Sequence, residues 1–446
     1  MSAVVDFPLK PEARPYLEAF SRGASLRDRQ EPAWLGGYRK GSLARFAEIG
    51  FPSRRSESWR YIDLRPLQEH PLLPAHADEP AFGLEIRSLL GEIGLTAPAY
   101  RLALVDGRFA PGLSTLAGLP AGVWFGSMAA AIVERPDLVR ARLEAPPSDN
   151  VRPFTALNGA FFADGFVLDI AAGVILDRPL EVVHLASGEA SGSLHTRGLI
   201  AAGAGSRATV VESFAGAGEY WRNDVVELRL AEQAKLTRVV LVEEGPDAFH
   251  FGEMLANLAE ASQISNFVLL LGGRTIRYDA GILAEGERSR CDLNGAFLLS
   301  ARQEANILTT IDHAAPGSET REVFKGVATD RAHGAFQGRI TVRPGAQKVD
   351  AQQLSQNLVL SPRAAIDTKP ELEIFADDVK CSHGAAVGDL DEAALFYLRA
   401  RGISNETARR MLIEAFITEA VELIDSPPLR EHLLSRIARR LASLEE

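Results

Sequence analysis

Near the C-terminus the chain reads Lys380-Cys381-Ser382-His383-Gly384, directly after the strand-like stretch Leu372-Glu373-Ile374-Phe375-Ala376. There are only two cysteines, Cys291 and Cys381, and one of them stands two residues from a histidine. If the strand runs on through this point, residues i and i+2 face the same side about 7 Å apart. A thiol and an imidazole then address one place. They are the side chains best suited to soft and borderline metals. They are also only two donors, whereas a zinc or iron site normally takes four. A metal reading therefore requires the remaining ligands from another chain or from a bound cluster.

Other chemistry is sparse. The sequence has no Gly-x-x-x-x-Gly-Lys-Ser/Thr, no Cys-x-x-Cys, no His-Glu-x-x-His and no Gly-x-Ser-x-Gly. This argues against P-loop nucleotide binding, a self-sufficient hydrolase and a closed zinc site. The glycine pairs Gly203/Gly205 and Gly216/Gly218 lack the third glycine of a dinucleotide fingerprint and read as turns. Asp377 and Asp378 are adjacent, so on a strand they face opposite sides and do not form a glycosidase pair. Cys291 reads as a small buried hydrophobe. His313 and His333, inside β-like stretches, read as structural or surface histidines.

The elements that must position Cys381 and His383 are mainly β. From about residue 100 to 380 short β-like runs recur, among them 208–212, 225–230, 235–242, 264–271, 292–299, 304–311, 338–342 and 354–360. Turn signals such as Gly245-Pro246, Gly272-Gly273, Pro316-Gly317 and Pro344-Gly345 divide them. Sandwich, propeller and β-helix compete. Polar residues within the runs, as in Gln352-Gln353-Leu354-Ser355-Gln356-Asn357-Leu358, suit stacked coils. No blade-length repeat supports a propeller, and no strict short repeat is visible.

Residues 1–95 read as mainly helical. Tyr16, Leu17 and Phe20 share a face, Leu43, Phe46 and Ala47 form a stripe, and Trp59 and Tyr61 read as aromatic anchors of an arm. A loop-forming run covers 71–80. After Gly388 the chain turns helical again. Asp389 with Glu392 suggests a capping box, Gly402 a stop, and Ala408, Met411, Leu412, Ala415, Phe416 and Ala420 a wide stripe. Pro427-Pro428 separates a last helix. These helices pack on one another or present a surface to a partner.

Bulk properties bound the partners. In 446 residues, 46% are apolar and 24% charged, as in globular proteins. That length suits about three domains, or one long β architecture. The net charge of −11 argues against a nucleic-acid or anionic-membrane partner, which would call for clustered basic surface. No apolar run reaches the roughly 18 residues needed to span a bilayer. The first residues, Met1 to Asp6, do not read as a secretory leader, and two cysteines do not make a disulfide framework, so a reducing cytoplasm is expected.

Phe324-Lys325-Gly326-Val327, Asp330 to Ile340, Ala346 to Ala351, Thr368 to Ile374, Asp377 to Ala385 and Leu395 to Ile403 closely resemble the SufB/SufD family of iron–sulfur cluster assembly proteins. Trp59 to Leu67 resembles its SufD branch. The resemblance implies a right-handed parallel β-helix over 96–383, between a helical region at 1–95 and a helical ATPase-binding region at 384–446. It implies a heterodimer with a SufB-type homologue and a SufC-type ATPase on the C-terminal helices. It implies a non-catalytic scaffold with a transient iron–sulfur cluster shared with the SufB-type chain and none permanently bound. Cys381 and His383 are then its cluster-binding and metal-binding residues. SufB-type chains carry a further sulfur-accepting cysteine, and the residues around Cys291 do not match it. The rival function is a β-helix carbohydrate-active enzyme, which calls for secretion and a carboxylate or basic cluster on one face.

Overall fold

The computed structural model describes residues 10–23, 31–74, 83–143, 152–188 and 192–444. Met1 to Asp6 and most of the 71–80 loop run lie outside the described residues. From Tyr100 onward the β-like runs become strands that alternate between two sheets, one of ten strands and one of nine. Each turn of the chain adds one strand to each sheet, giving a parallel β-solenoid of about eight turns. The stacked coil, not the sandwich or the propeller, is the architecture. In the ten-stranded sheet Lys235, Gln263, Arg290, Glu319, Asp350 and Lys380 lie in register, successive residues 27 to 31 positions apart. Two antiparallel pairs, Val123–Ser127 with Asp164–Ile170 and Tyr100–Val105 with Arg108–Phe109, close the N-terminal end.

Over most of their extent both sheets are covered on both faces, which explains why strands such as Lys235–Glu243 are buried at successive positions rather than at alternate ones. Between the sheets lie Leu168, Val226, Met254, Ile276, Ile307, Phe324 and Phe336. The outer face of the nine-stranded sheet carries Trp221, Phe249 and Phe251, which meet Tyr16, Phe46, Phe51, Trp59 and Phe154 from the N-terminal arm and a helix at Pro153–Phe161. Trp59 is an anchor as expected. It is buried, and the Arg277 guanidinium lies 3.8 Å from its ring centre.

The outer face of the ten-stranded sheet, with Val211, Val239, Leu241, Leu269 and Val327, is covered by Ile417, Val421, Leu433, Ile437 and Leu441. These come from helices Asn405–Val421 and Pro427–Ala442. Each fully buried side chain of this kind stabilises by about 1.5–3 kcal/mol. Lys325 reaches from the sheet to Glu419 and lies 4.3 Å from the Phe416 ring centre. Arg436 pairs with Glu243 at 2.6 Å and fixes the last helix.

The helix caps differ in detail from the sequence reading. Helix Glu392–Ala400 is capped by Asp391, whose carboxylate accepts from the Ala393 and Ala394 amides. Asp389 accepts instead from Leu390 N, because the extended backbone reaches Asp391 before it turns helical. Gly402 does end that helical turn, at φ +86°.

Candidate functional site at the open end of the solenoid

The strand of Leu372 does not continue into Cys381. It spans Ala365–Ile374 in the nine-stranded sheet, and the chain then turns a corner. The Asp378 amide donates to Gln347 Oε1 at 2.9 Å, stacking this corner on the preceding one. A new strand, Lys380–Gly388, begins in the other sheet. Cys381 and His383 both lie within it, so their i, i+2 relation survives the break. Residue 383 is therefore inside a strand, which runs on to Gly388.

Both strands of this last coil are outermost in their sheets. On one side Lys380–Gly388 pairs with Asp350–Val359, with Ala351 opposite Cys381 and Gln353 opposite His383. Its other edge has no strand partner among the described residues. Pro370, which has no N–H to donate, sits in the other edge strand, where a proline is tolerated. Around this end Ile374, Phe375 and Val387 are exposed, Phe375 by 62%. Unpaired edges beside exposed apolar side chains form a surface fit for pairing with another chain.

Register shows which way the two candidates face. In Asp350–Val359 the buried residues are Ala351, Gln353, Ser355 and Asn357 with Leu358. Cys381 follows Ala351 and packs on the core between the sheets. His383 follows Gln353 on the same face. It is nevertheless exposed, because no further coil covers the end among the described residues. Burial is the main cause that raises the Cys381 thiol, and Asp350 adds to it, while the Ala351 backbone pulls the other way. Lys380, on the alternate side, is exposed and not among the causes. In this conformation the thiol is not activated, contrary to the lowered value a reactive cysteine calls for. No group of three His, Cys, Asp or Glu residues that could hold a metal occurs among the described residues. The pair at 381 and 383 is thus a partial donor set open to the outside.

The other candidates separate from this end. Cys291 is buried, and its thiol is raised by burial. It lies on the same inward column as Cys381, through Thr320 and Ala351, roughly 14 Å away at three strand spacings. His313 is buried and bonded to Ser318 Oγ at 2.6 Å and Thr320 Oγ1 at 3.0 Å, a structural histidine. His333 pairs with Asp367 at 2.8 Å.

Sequence reasoning missed the polar interior. Arg238 bonds Glu212 at 2.6 Å inside the solenoid, and Arg222 bonds Glu244 at 2.6 Å, each pair almost wholly buried. Beneath His383, Gln353 Nε2 donates to Glu322 Oε2 at 2.5 Å. Burial is the main cause that pushes the Glu322 carboxyl up to about 7. A folded-state value above the unfolded one means that the stabilising proton is fully retained below about 4.5 and lost as pH rises through about 7. Glu322→Gln is therefore expected to stabilise the protein at pH 8, by roughly 3 kcal/mol at most, and to converge with the parent by pH 5. Urea midpoints at both pH values check this. An equal difference at the two would show that the carboxyl is ionised in the fold.

Comparison with known proteins accords with this architecture. The family model of the SUF system FeS cluster assembly SufBD core domain matches residues 184–416, and that of the SufBD protein N-terminal region matches 94–182. The iron–sulfur cluster assembly protein SufD of Escherichia coli is 29% identical over 90% of this chain and 91% of its own length. A SufBD family protein of Synechocystis is 28% identical over 90% and 89%. Protein ABCI7, chloroplastic, of Arabidopsis thaliana is 29% identical over 87% and 82%. The core model alone covers more than half of the sequence, so the chain belongs to the SufBD family of iron–sulfur cluster assembly proteins, as a SufD-type member.

Proposed function

We propose that this chain is a non-catalytic scaffold subunit in the cytoplasm whose open solenoid end pairs with a SufB-type homologue. A transient iron–sulfur cluster is assembled at their junction, and a SufC-type ATPase binds the C-terminal helices. The observation that carries the reading is the coincidence, on one uncapped coil, of two unpaired strand edges with Cys381 and His383. A partial donor set at the end of a rod is completed by whatever docks there. His383 presents an exposed imidazole, and neutral imidazole is a metal ligand. Cys381 is half-buried and supplies a thiolate only if docking lowers its pKa. Among the described residues no helix is long and apolar enough to cross a membrane.

The experiment is co-expression of the tagged chain with a SufB-type homologue and a SufC-type ATPase, with iron and sulfide measured in the recovered complex. Phe375→Asp combined with Val387→Asp is expected to reduce capture of the homologue at least tenfold, since charge at the centre of an apolar interface leaves it unpaired and desolvated. Both side chains are exposed in the single chain, so its thermal midpoint should hold. Undiminished capture by this variant would move the junction elsewhere.

A further inference from the structure

The inward column that ends at His383 runs Leu293, Glu322, Gln353, His383 on four successive strands of the ten-stranded sheet. Glu322 and Gln353 are 1% and 2% exposed, respectively. Gln353 fills a space left open across the coil by Gly338, where a side-chain carbon would collide with its amide. The Glu322 Oε2 atom accepts from the amide nitrogen of Gln353. This contact decides the amide's orientation. Once the Glu322 carboxyl is ionised, above about pH 7, its oxygens take only the NH2 end, so Gln353 Oε1 then points away from it.

That oxygen is buried and has no hydrogen-bond partner among the described residues. Buried acceptors of this kind are almost always satisfied, so the position calls for a donor. The Thr309 hydroxyl interacts with Glu322, whose Oε1 has no other partner among the described residues, and serves that carboxyl. The residue in register one strand outward, about 4.8 Å along the sheet, is His383, whose ring N–H can donate.

We infer that Gln353, oriented by Glu322, accepts a hydrogen bond from the His383 imidazole and so fixes which ring nitrogen carries the proton and which presents its lone pair outward. The inference rests on the reading of His383 as a donor at the junction, and gives it a mechanism. A ligating histidine is usually held by a hydrogen bond from its other ring nitrogen, which sets both tautomer and ring orientation. Here that bond would come from within the rod, before any partner arrives. Gln353 and Glu322 are positioning residues and do not touch the cluster.

The test uses the full chain labelled with 15N-histidine, with long-range proton–nitrogen correlation spectra to read the tautomers and His383→Ala to assign the signals. The expected result at pH 8, with the Glu322 carboxyl ionised, is one dominant His383 tautomer, favoured about fivefold, as one hydrogen bond of ordinary strength provides. Gln353→Met keeps the length and removes the acceptor, and should bring the ratio within about threefold of unity. Glu322→Gln keeps the shape but can present either end of its amide, and should give an intermediate ratio even if Gln353→Met does not fold. An unchanged ratio in both variants, or no dominant tautomer in the parent, overturns the inference. In the reconstituted complex Gln353→Met should lower cluster yield about tenfold. If the tautomer shifts while His383→Ala leaves cluster yield intact, the ring is held as inferred and the ligand reading fails instead.

Discussion

His383→Ala is expected to leave the assembled complex intact and to lower its cluster yield at least tenfold, whereas Cys381→Ala should lower it less than threefold. The difference follows from how each side chain stands at the open end. The imidazole ends the inward column and is exposed at the open end of the rod, where no described strand lies beyond it. Removing it subtracts a donor without disturbing packing, so the fold and the subunit contacts should persist. The thiol is half-buried against the core, its ionisation opposed by burial and by Asp350. Using it as a ligand requires both a proton loss and a rotation outward, so its share in the proposed site is smaller. Loss of even a supporting hydrogen bond to a metal ligand typically costs tenfold or more, and loss of the ligand itself should exceed that. Iron and sulfide per complex, measured after reconstitution under anaerobic conditions, check the order. Equal yields for His383→Ala and the parent would remove the histidine from the site, and a larger loss for Cys381→Ala would invert the proposed roles.

The ease with which the sequence reveals this site, and the difficulty with which it reveals what lies below, have one physical cause. Strand alternation is local, so Cys381 and His383 could be placed on one face from their spacing alone. Turn chemistry is local too, and Gly272-Gly273 and Pro344-Gly345 mark true corners of the solenoid. Stacking is not local. The column through Val210, Arg238, Asn266, Leu293, Glu322, Gln353 and His383 changes from apolar to charged to amide at steps of 27 to 31 residues. No repeat can be read from such a column, because each coil meets its polar demands with a different neighbour. Arg238 looks like a surface residue in Lys235–Glu243 until Glu212, on the adjacent strand, is seen to pair with it. Breaking a buried pair of that kind typically costs about 3–5 kcal/mol, so it is part of the core and not decoration. The break between Ile374 and Lys380 was hidden for a similar reason. Its two halves are both extended, and the turn is marked by contacts with the corner below, Asp378 N to Gln347 Oε1 and Lys348 N to Asp378 O, which are distant in sequence.

Phe396→Asp is expected to weaken capture of a SufC-type ATPase about a hundredfold while leaving the chain's own thermal midpoint unchanged. Helix Glu392–Ala400 is held at its start by Asp391 and buries Leu395, yet it leaves Phe396 73% and Tyr397 56% exposed. Arg401 lies 4.7 Å from the Tyr397 ring centre, which orders that ring on the surface. Two adjacent exposed aromatics on a well-capped helix are the kind of anchor that dominates an interface, and truncating such an anchor typically costs 2 kcal/mol or more. A carboxylate at that position adds the desolvation of an unpaired charge, which brings the expected loss to about a hundredfold. Truncation of the whole C-terminal region, the more obvious experiment, cannot answer the question. Ile417, Val421, Leu433, Ile437 and Leu441 cover the apolar outer face of the ten-stranded sheet, and their removal would uncover Val239, Leu241, Leu269 and Val327 together. A truncated chain would lose binding through aggregation whether or not the helices touch an ATPase. The point variant separates the two, because Phe396 contributes little to that cover and a folded protein with undiminished ATPase capture would place the docking face elsewhere.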